Sequence, residues 1–329
     1  MLFEAVARPE GSFQQPVGAD AIAAMCRRVL GNAVEVRSAT ELGWGSYNST
    51  FRVELVHGPA LVLRVAPQAG SQLRSERHWM RSEYAAAPWL VGLGSLVPRV
   101  VGADFTHQVI DRDYLVQTLL VGTPAPELMS GYSRSLWPGL FAQLGEISRR
   151  IHEVPGETWG PVSAPVHGSW SGAVLTSLAE RAADLMSMSA PSQDVKDFAL
   201  IVEASRSQLD QIARPALLHG DLWTANVLLE PTASRPTVIG VLDSERAWWG
   251  DPLADWALYR ANARAVEAER DAFWAAYGPL PLDGEACWRL RVYQGWHLAA
   301  ERVEAARHHH HDTVERTLRD LGDVIQALR

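Results

Sequence analysis

Lysine is almost absent from this chain. Among its 329 residues Lys196 is the one lysine, and arginine supplies the remaining side-chain positive charge. Any chemistry that leans on a lysine elsewhere must therefore use another cation here. Cysteine is scarce as well. Cys26 and Cys287 cannot form a clustered metal site, and such usage fits a reduced, cytoplasmic compartment better than a disulfide framework. No run of about 18 apolar residues occurs, so no transmembrane helix and no membrane partner is expected. Met1-Leu2-Phe3-Glu4 lacks the basic-then-apolar start of a signal peptide. A basic excess is missing too. The formal net charge of -8 is the wrong sign for a protein that must neutralise many phosphates, which argues against a nucleic-acid partner. With 47% hydrophobic and 21% charged residues, the rest is ordinary for a globular chain of one large domain or two packed lobes.

The first third reads as strands. Val34–Arg37 and Ser49–Leu55 alternate, and Leu61–Val65 is a short β-rich run. His57-Gly58-Pro59 is a turn signal, so the last two should form a hairpin. A helix is expected from about Leu73 to Leu90, then strands near Val97–Ala103 and Tyr114–Leu119. After Gly122-Thr123-Pro124 the period changes. Apolar residues at 140, 144, 147 and 151 share one helix face. Residues 173–190 and 194–213 also look helical, residues 216–243 look β-rich, and the last 75 or so are helix formers. The boundary near residue 121 reads as a short hinge. Residues 1–120 are then one lobe and 121–329 another, giving an α+β fold with a five-stranded antiparallel sheet plus one helix ahead of a mostly helical lobe.

The chemistry concentrates in residues 216–229, Ala-Leu-Leu-His-Gly-Asp-Leu-Trp-Thr-Ala-Asn-Val-Leu-Leu. Apolar runs flank a polar loop that holds one His, one Asp and one Asn. Downstream, Val238–Leu242 is another apolar run, and it ends on Asp243. Side by side, these runs bring Asp221, Asn226 and Asp243 to one edge. Phosphoryl transfer from a nucleotide needs such a set. One carboxylate orients the attacking hydroxyl, and a second carboxylate with a neutral oxygen ligand holds magnesium against the phosphates.

His219-x-Asp221-x-x-x-x-Asn226, then Asp243, then Gly250-Asp251-Pro252 with Asp255, resembles the aminoglycoside phosphotransferase and choline kinase group, which is similar in fold to protein kinases. The resemblance runs from about residue 33 to 260. It implies Asp221 as catalytic base, Asn226 and Asp243 as magnesium ligands, Asp251 as the buried organiser of the catalytic loop, and His219 as structural packing beneath it. It also implies ATP or GTP as phosphoryl donor.

The nucleotide half follows from the same resemblance. The Gly-rich turn with Gly43, Gly45, Ser46 and Asn48 resembles a phosphate loop, since glycines let backbone N–H groups approach phosphate. Where a phosphate-contacting lysine is expected, Arg64 stands in Val62-Leu63-Arg64-Val65. Its planar fork is no simple substitute for an ammonium. Glu83 is the best candidate to orient it, with Glu76 as the fallback. The pattern of a glutamate, Trp89-Leu90 and Val97-Pro98-Arg99-Val100 matches the group's order. Thr118 and Leu119 fall on the expected lobe connector, whose backbone would meet the purine.

The acceptor side is thinner. Glu245, Asp255, Glu301 and Glu304, with Trp256, are candidate contacts, and carboxylates would suit a polycationic acceptor. Members of the group phosphorylate aminoglycosides and other antibiotics, so a resistance kinase is expected. Fructosamine, choline or homoserine kinases are the metabolic alternative, and a nucleotide-binding pseudokinase is the alternative of another class. Trp248-Trp249 reads as core packing. His308–His311 reads as a solvated helix face or helix junction. Ser169 and Ser171 lack a Gly-x-Ser-x-Gly elbow, which removes hydrolase chemistry.

Overall fold

Ser49–Leu55 and Leu61–Val65 form strands over the ranges their residue pattern predicts. The computed structural model describes residues 1–8, 12–43, 45–279 and 283–329. In chain order the first sheet holds β1 (Leu2–Glu4), β2 (Val36–Glu41), β3 (Ser49–Leu55), β4 (Leu61–Val65), β5 (Val100–Asp104) and β6 (Tyr114–Thr118). Their spatial order is β1-β2-β3-β4-β6-β5. The five expected antiparallel strands are present, but the sheet has a sixth member. β1 joins the edge parallel to β2, with Phe3 opposite Ala39. Three residues carry too little pattern for this strand to be legible.

The single helix expected in this lobe also needs correction. Among the described residues there are two α-helices: α1 (Ala19–Leu30) and α2 (Trp79–Ala86). α1 buries Ile22, Met25 and Cys26 against Phe51, Val53 and Leu63 of the sheet. The expected helix of 73–90 is broken. Arg74–Glu76 is a 3₁₀ turn, and Ala87–Trp89 becomes another where Pro88 interrupts the α-helical hydrogen bonding. The break places Glu83 in the middle of α2, on the side that faces β4.

The second lobe has its own, larger core. The helix Trp137–His152 buries Leu140, Leu144, Ile147 and Ile151, the spacing read from the sequence. It packs with helices Trp170–Ser187, Gln193–Ala204, Glu267–Tyr277 and Gly284–Arg307 around Phe198, Phe273 and Tyr293. Into this helical mass are set short strands that carry the polar loops. Val227–Leu229 pairs antiparallel with Val238–Val241, and Ala216–Leu218 pairs with Trp248–Gly250. The chain is thus a two-lobe, protein-kinase-like α+β fold. His308–His311 forms the turn between the last two helices, a helix junction as expected. No helix among the described residues is long and apolar enough to cross a membrane.

Candidate active site

The loop after Ala216–Leu218 is fixed by one buried carboxylate. The backbone N–H of His219 donates to Asp255 Oδ2 at 3.0 Å, and that of Gly220 donates to Asp255 Oδ1 at 2.9 Å. Asp255 is 1% exposed. His152, at the end of helix Trp137–His152, donates from Nε2 to the same Oδ2 at 2.8 Å, and Tyr277 Oη lies 2.8 Å from His152 Nδ1. Burial works most strongly to raise the Asp255 pKa, but the hydrogen bond and charge of His152, with His219 and the Gly220 N–H, together outweigh it and hold the carboxyl below the usual range. Two sequence expectations are corrected here. Asp251 does not organise the loop. It accepts from Leu253 N, Arg289 Nε and Tyr293 Oη, tying its own turn to the helix Gly284–Arg307. Asp255 does that work, and it is too buried to be an acceptor contact. Gly250-Asp251-Pro252-x-x-Asp255 offers two carboxylates four apart, both buried, and spacing alone does not say which one takes the loop N–H groups.

Gly220 is required for a measurable reason. Its φ is +77°, and a Cβ at this position would sit 1.8 Å from the Arg246 carbonyl oxygen. Gly220→Ala should therefore fold poorly or melt many degrees lower, with both left-handed backbone strain and a backbone clash to relieve. A thermal melt within a degree or two of wild type would refute this reading of the loop.

Asp221, Asn226 and Asp243 meet as expected. Asn226 Nδ2 donates to the Asp221 carbonyl oxygen at 2.8 Å, which leaves Asn226 Oδ1 open. The Leu242 N–H donates to Asn226 O at 2.9 Å, setting Asp243 against the loop. Asp243 itself adopts a left-handed backbone, φ 69° and ψ 53°, which aspartate tolerates better than most residues. Burial lifts the Asp221 pKa to about 7. Arg246 opposes that rise from 3.8 Å, and Asp243 adds to it. His219 is 1% exposed, and burial lowers its pKa, so it sits neutral under the loop as structural packing.

Arg64 occupies the centre of an acidic cluster. It donates from Nη1 to Glu83 Oε1 at 2.5 Å, and from Nη2 to Asp243 Oδ1 at 2.6 Å and Glu245 Oε2 at 3.0 Å. Glu83, not the fallback Glu76, is its partner from α2; Glu76 pairs with Arg307. Burial raises the pKa of Glu83 and of Glu245. For Asp243 burial pulls the same way, but the Arg64 charge and hydrogen bond win and lower it. Three carboxyl groups thus surround one guanidinium. Glu83, Asp243 and Glu245 bring ligand oxygens within 4.8 Å of one another, the hard-oxygen donor set a divalent cation takes. Carboxylate oxygens of this kind fit magnesium.

Glu245 is thus a second correction among the expected acceptor contacts. It is 3% exposed and faces Arg64 and Asn48, whose Nδ2 donates to it at 2.5 Å. That bond ties the Gly-rich turn of the first lobe to the second. Gly43 and Gly45 take φ of 65° and 85° there, while Trp44 between them lies outside the described residues. Ser46 is exposed on the same turn. Thr118 cannot offer its N–H to a purine, because it donates to Arg99 O at 2.9 Å. Leu119, one residue on, remains open. Glu301 is occupied by Tyr259, Arg264 and Arg316. Glu304 is more than half exposed and lies 3.4 Å from Arg246.

Arg246 was missed by sequence reasoning. It lies against the Trp79 ring at 4.5 Å from its centroid, and between Asp221 and Glu304. The available signal was its position three residues beyond a metal-type aspartate in a chain that uses arginine for every cationic task.

A family model described as the phosphotransferase enzyme family, APH, matches residues 38–291. The chain belongs to that family. Over 250 residues this phosphotransferase is 29% identical to an aminoglycoside 3'-phosphotransferase of Streptomyces fradiae, a match covering 72% of this chain and 84% of that relative. Among solved structures it shares its fold with aminoglycoside phosphotransferase APH(4)-Ia, at TM-score 0.64 and 15% identity over 94% of this chain and 99% of that one. It also shares it with the GDP complex of aminoglycoside 2'-phosphotransferase-IIIa, at TM-score 0.61 and 18% identity over 93% and 98%.

Proposed function

We propose that this phosphotransferase moves the γ-phosphoryl group of ATP or GTP, with magnesium, to a hydroxyl of a small molecule. The observation that carries the reading is Asp221, raised to about 7 on a loop clamped by Asp255, beside the open oxygen of Asn226 and the Arg64-bound carboxylate of Asp243. The acceptor hydroxyl gives its proton to the Asp221 carboxylate while its oxygen bonds to phosphorus. The bond to the nucleoside diphosphate breaks, and that diphosphate leaves with the electron pair. Magnesium held by Asn226 and Asp243 would neutralise charge on the phosphates. Arg64, steadied by Glu83, and the Gly43–Asn48 turn would hold them in place. Positioning and charge neutralisation then supply most of the rate. Residues 1–120 would bind the nucleotide and 121–329 would carry the loop and the acceptor. The relative from Streptomyces fradiae and the two solved structures are named for aminoglycosides, so hydroxylated antibiotics are the first acceptors to test.

Arg64→Lys tests the donor half. A lysine can keep the Glu83 pair but not reach Asp243 and Glu245 as well. Nucleotide affinity should fall roughly tenfold or more, the worth of one charge-assisted hydrogen bond. Isothermal titration with magnesium and a non-hydrolysable nucleotide reads this directly. An unchanged Kd would remove Arg64 from the phosphate site.

A further inference from the structure

Beside the loop lies a cavity of about 160 Å³, lined by Gly220 and Arg246 and walled by the indoles of Trp79, Trp248, Trp256 and Trp296. Its lining mixes carboxylates, hydroxyls and cations, but two buried N–H donors stand out. Trp256 Nε1 and Arg246 Nε are buried donors with no hydrogen-bond partner. Arg181 makes one hydrogen bond, from Nη1 to Trp296 O at 2.5 Å, and stacks 4.6 Å above that tryptophan's ring. Among the described residues no carboxylate pairs with it. Burial, reinforced by the Arg246 charge, pushes its pKa down to about 9. His297 in the same wall is driven to about 3, chiefly by burial and then by Arg181, and stays neutral. Most carboxylates of the cavity are paired, Glu76 with Arg307, Glu245 with Arg64 and Glu301 with Arg264 and Arg316, while Glu304 stands at the exposed rim, 3.4 Å from Arg246. Among the described residues Glu180 lines the cavity with no ion pair, and burial raises its pKa, which weakens it as a receptor for ammonium groups.

Unpaired donors in a half-buried site are costly until something accepts from them. Flat aromatic walls favour a flat or apolar body. We infer that this cavity takes an acceptor bearing a carboxylate on an aromatic or otherwise flat apolar body, with Arg181 as the carboxylate's partner and Trp256 Nε1 as a second donor. The inference rests on the proposed function, because it places the acceptor beside Asp221. It also runs opposite to the sequence expectation that carboxylates on this side would draw a polycation.

The test uses the full chain with magnesium and a non-hydrolysable nucleotide, and calorimetry with two probes, 4-hydroxybenzoate and its uncharged analogue 4-hydroxybenzamide. The acid should bind about tenfold or more tightly than the amide, as expected when a charged hydrogen bond is made in a partly buried site. Arg181→Gln should erase that preference, and Arg181→Lys should keep part of it. Trp256→Phe should weaken the acid while preserving the aromatic wall, and it carries the test if Arg181→Gln does not fold. Equal affinity for acid and amide, or binding of kanamycin with 4-hydroxybenzoate ignored, overturns the inference and leaves the donor chemistry standing. Failure of the magnesium nucleotide to bind would overturn both.

Discussion

Asp221→Asn should lower kcat by about 10²–10⁴-fold, the usual contribution of a positioned general base, while nucleotide binding changes little. The amide keeps the shape, and Asn226 Nδ2 can still donate to the main-chain carbonyl oxygen of residue 221. It cannot take a proton. The wild-type pH profile supplies a second readout. Burial lifts Asp221 to about 7, so kcat/KM should fall as the pH drops below about 7 and the carboxyl becomes protonated. The variant's residual rate should lose that acid limb. Stability should move the other way. The folded-state pKa stands above the ordinary 3.8, so the folded protein favours the protonated form, and stability is lost as pH rises from about 4 through 7. At pH 8 the Asn variant, free of that buried charge, should melt above wild type. A slow but more stable variant is what a strained catalytic carboxylate produces. A variant that is fully active would remove Asp221 from the chemistry.

Asp243→Asn should cost about a thousandfold in rate, the equivalent of about 4 kcal/mol of metal-assisted charge stabilisation. Asparagine is the appropriate replacement because position 243 has a left-handed backbone that alanine would resist and asparagine accepts. The fold should therefore survive, and the loss should show as a raised magnesium requirement with a lower plateau. The lost charge also frees Arg64 Nη2 from its 2.6 Å partner, leaving Glu83 and Glu245 to hold the guanidinium. If saturating magnesium restored the full rate, Asp243 would be only a contributor to metal affinity. If magnesium dependence were unchanged, it would not be a ligand.

The sequence carried the centre of this site and blurred its edges, for identifiable reasons. Asp221, Asn226 and Asp243 were legible because a short polar loop between apolar strands has few ways to fold, and hairpin pairing of Val227–Leu229 with Val238–Val241 forces the outcome. Arg64 and Glu83 were legible from order along the chain. Asp255 was misplaced because its task is to accept from main-chain N–H groups, and a backbone partner leaves no mark in the sequence. Glu245 was misplaced because the left-handed turn at Asp243 swings it back toward Arg64, where an extended chain would have pointed it onward. α1 went unread although Ile22, Met25, Cys26 and Val29 have helical spacing. β1, of three residues, depends wholly on its neighbour β2. Arg181 took on meaning only with its surroundings, since an arginine in a chain with one lysine attracts no notice.

The central claim is that the loop 219–226 and Asp243 form a magnesium-dependent phosphoryl-transfer centre. Mass spectrometry of a panel of hydroxylated acceptors, incubated with ATP or GTP, tests it in four samples: wild type with magnesium, wild type with EDTA, Asp221→Asn and Asp243→Asn. The expected result is a phosphomonoester of at least one acceptor, with matching nucleoside diphosphate, in the first sample and little or none in the other three. Equal phosphorylation in all four would contradict the account.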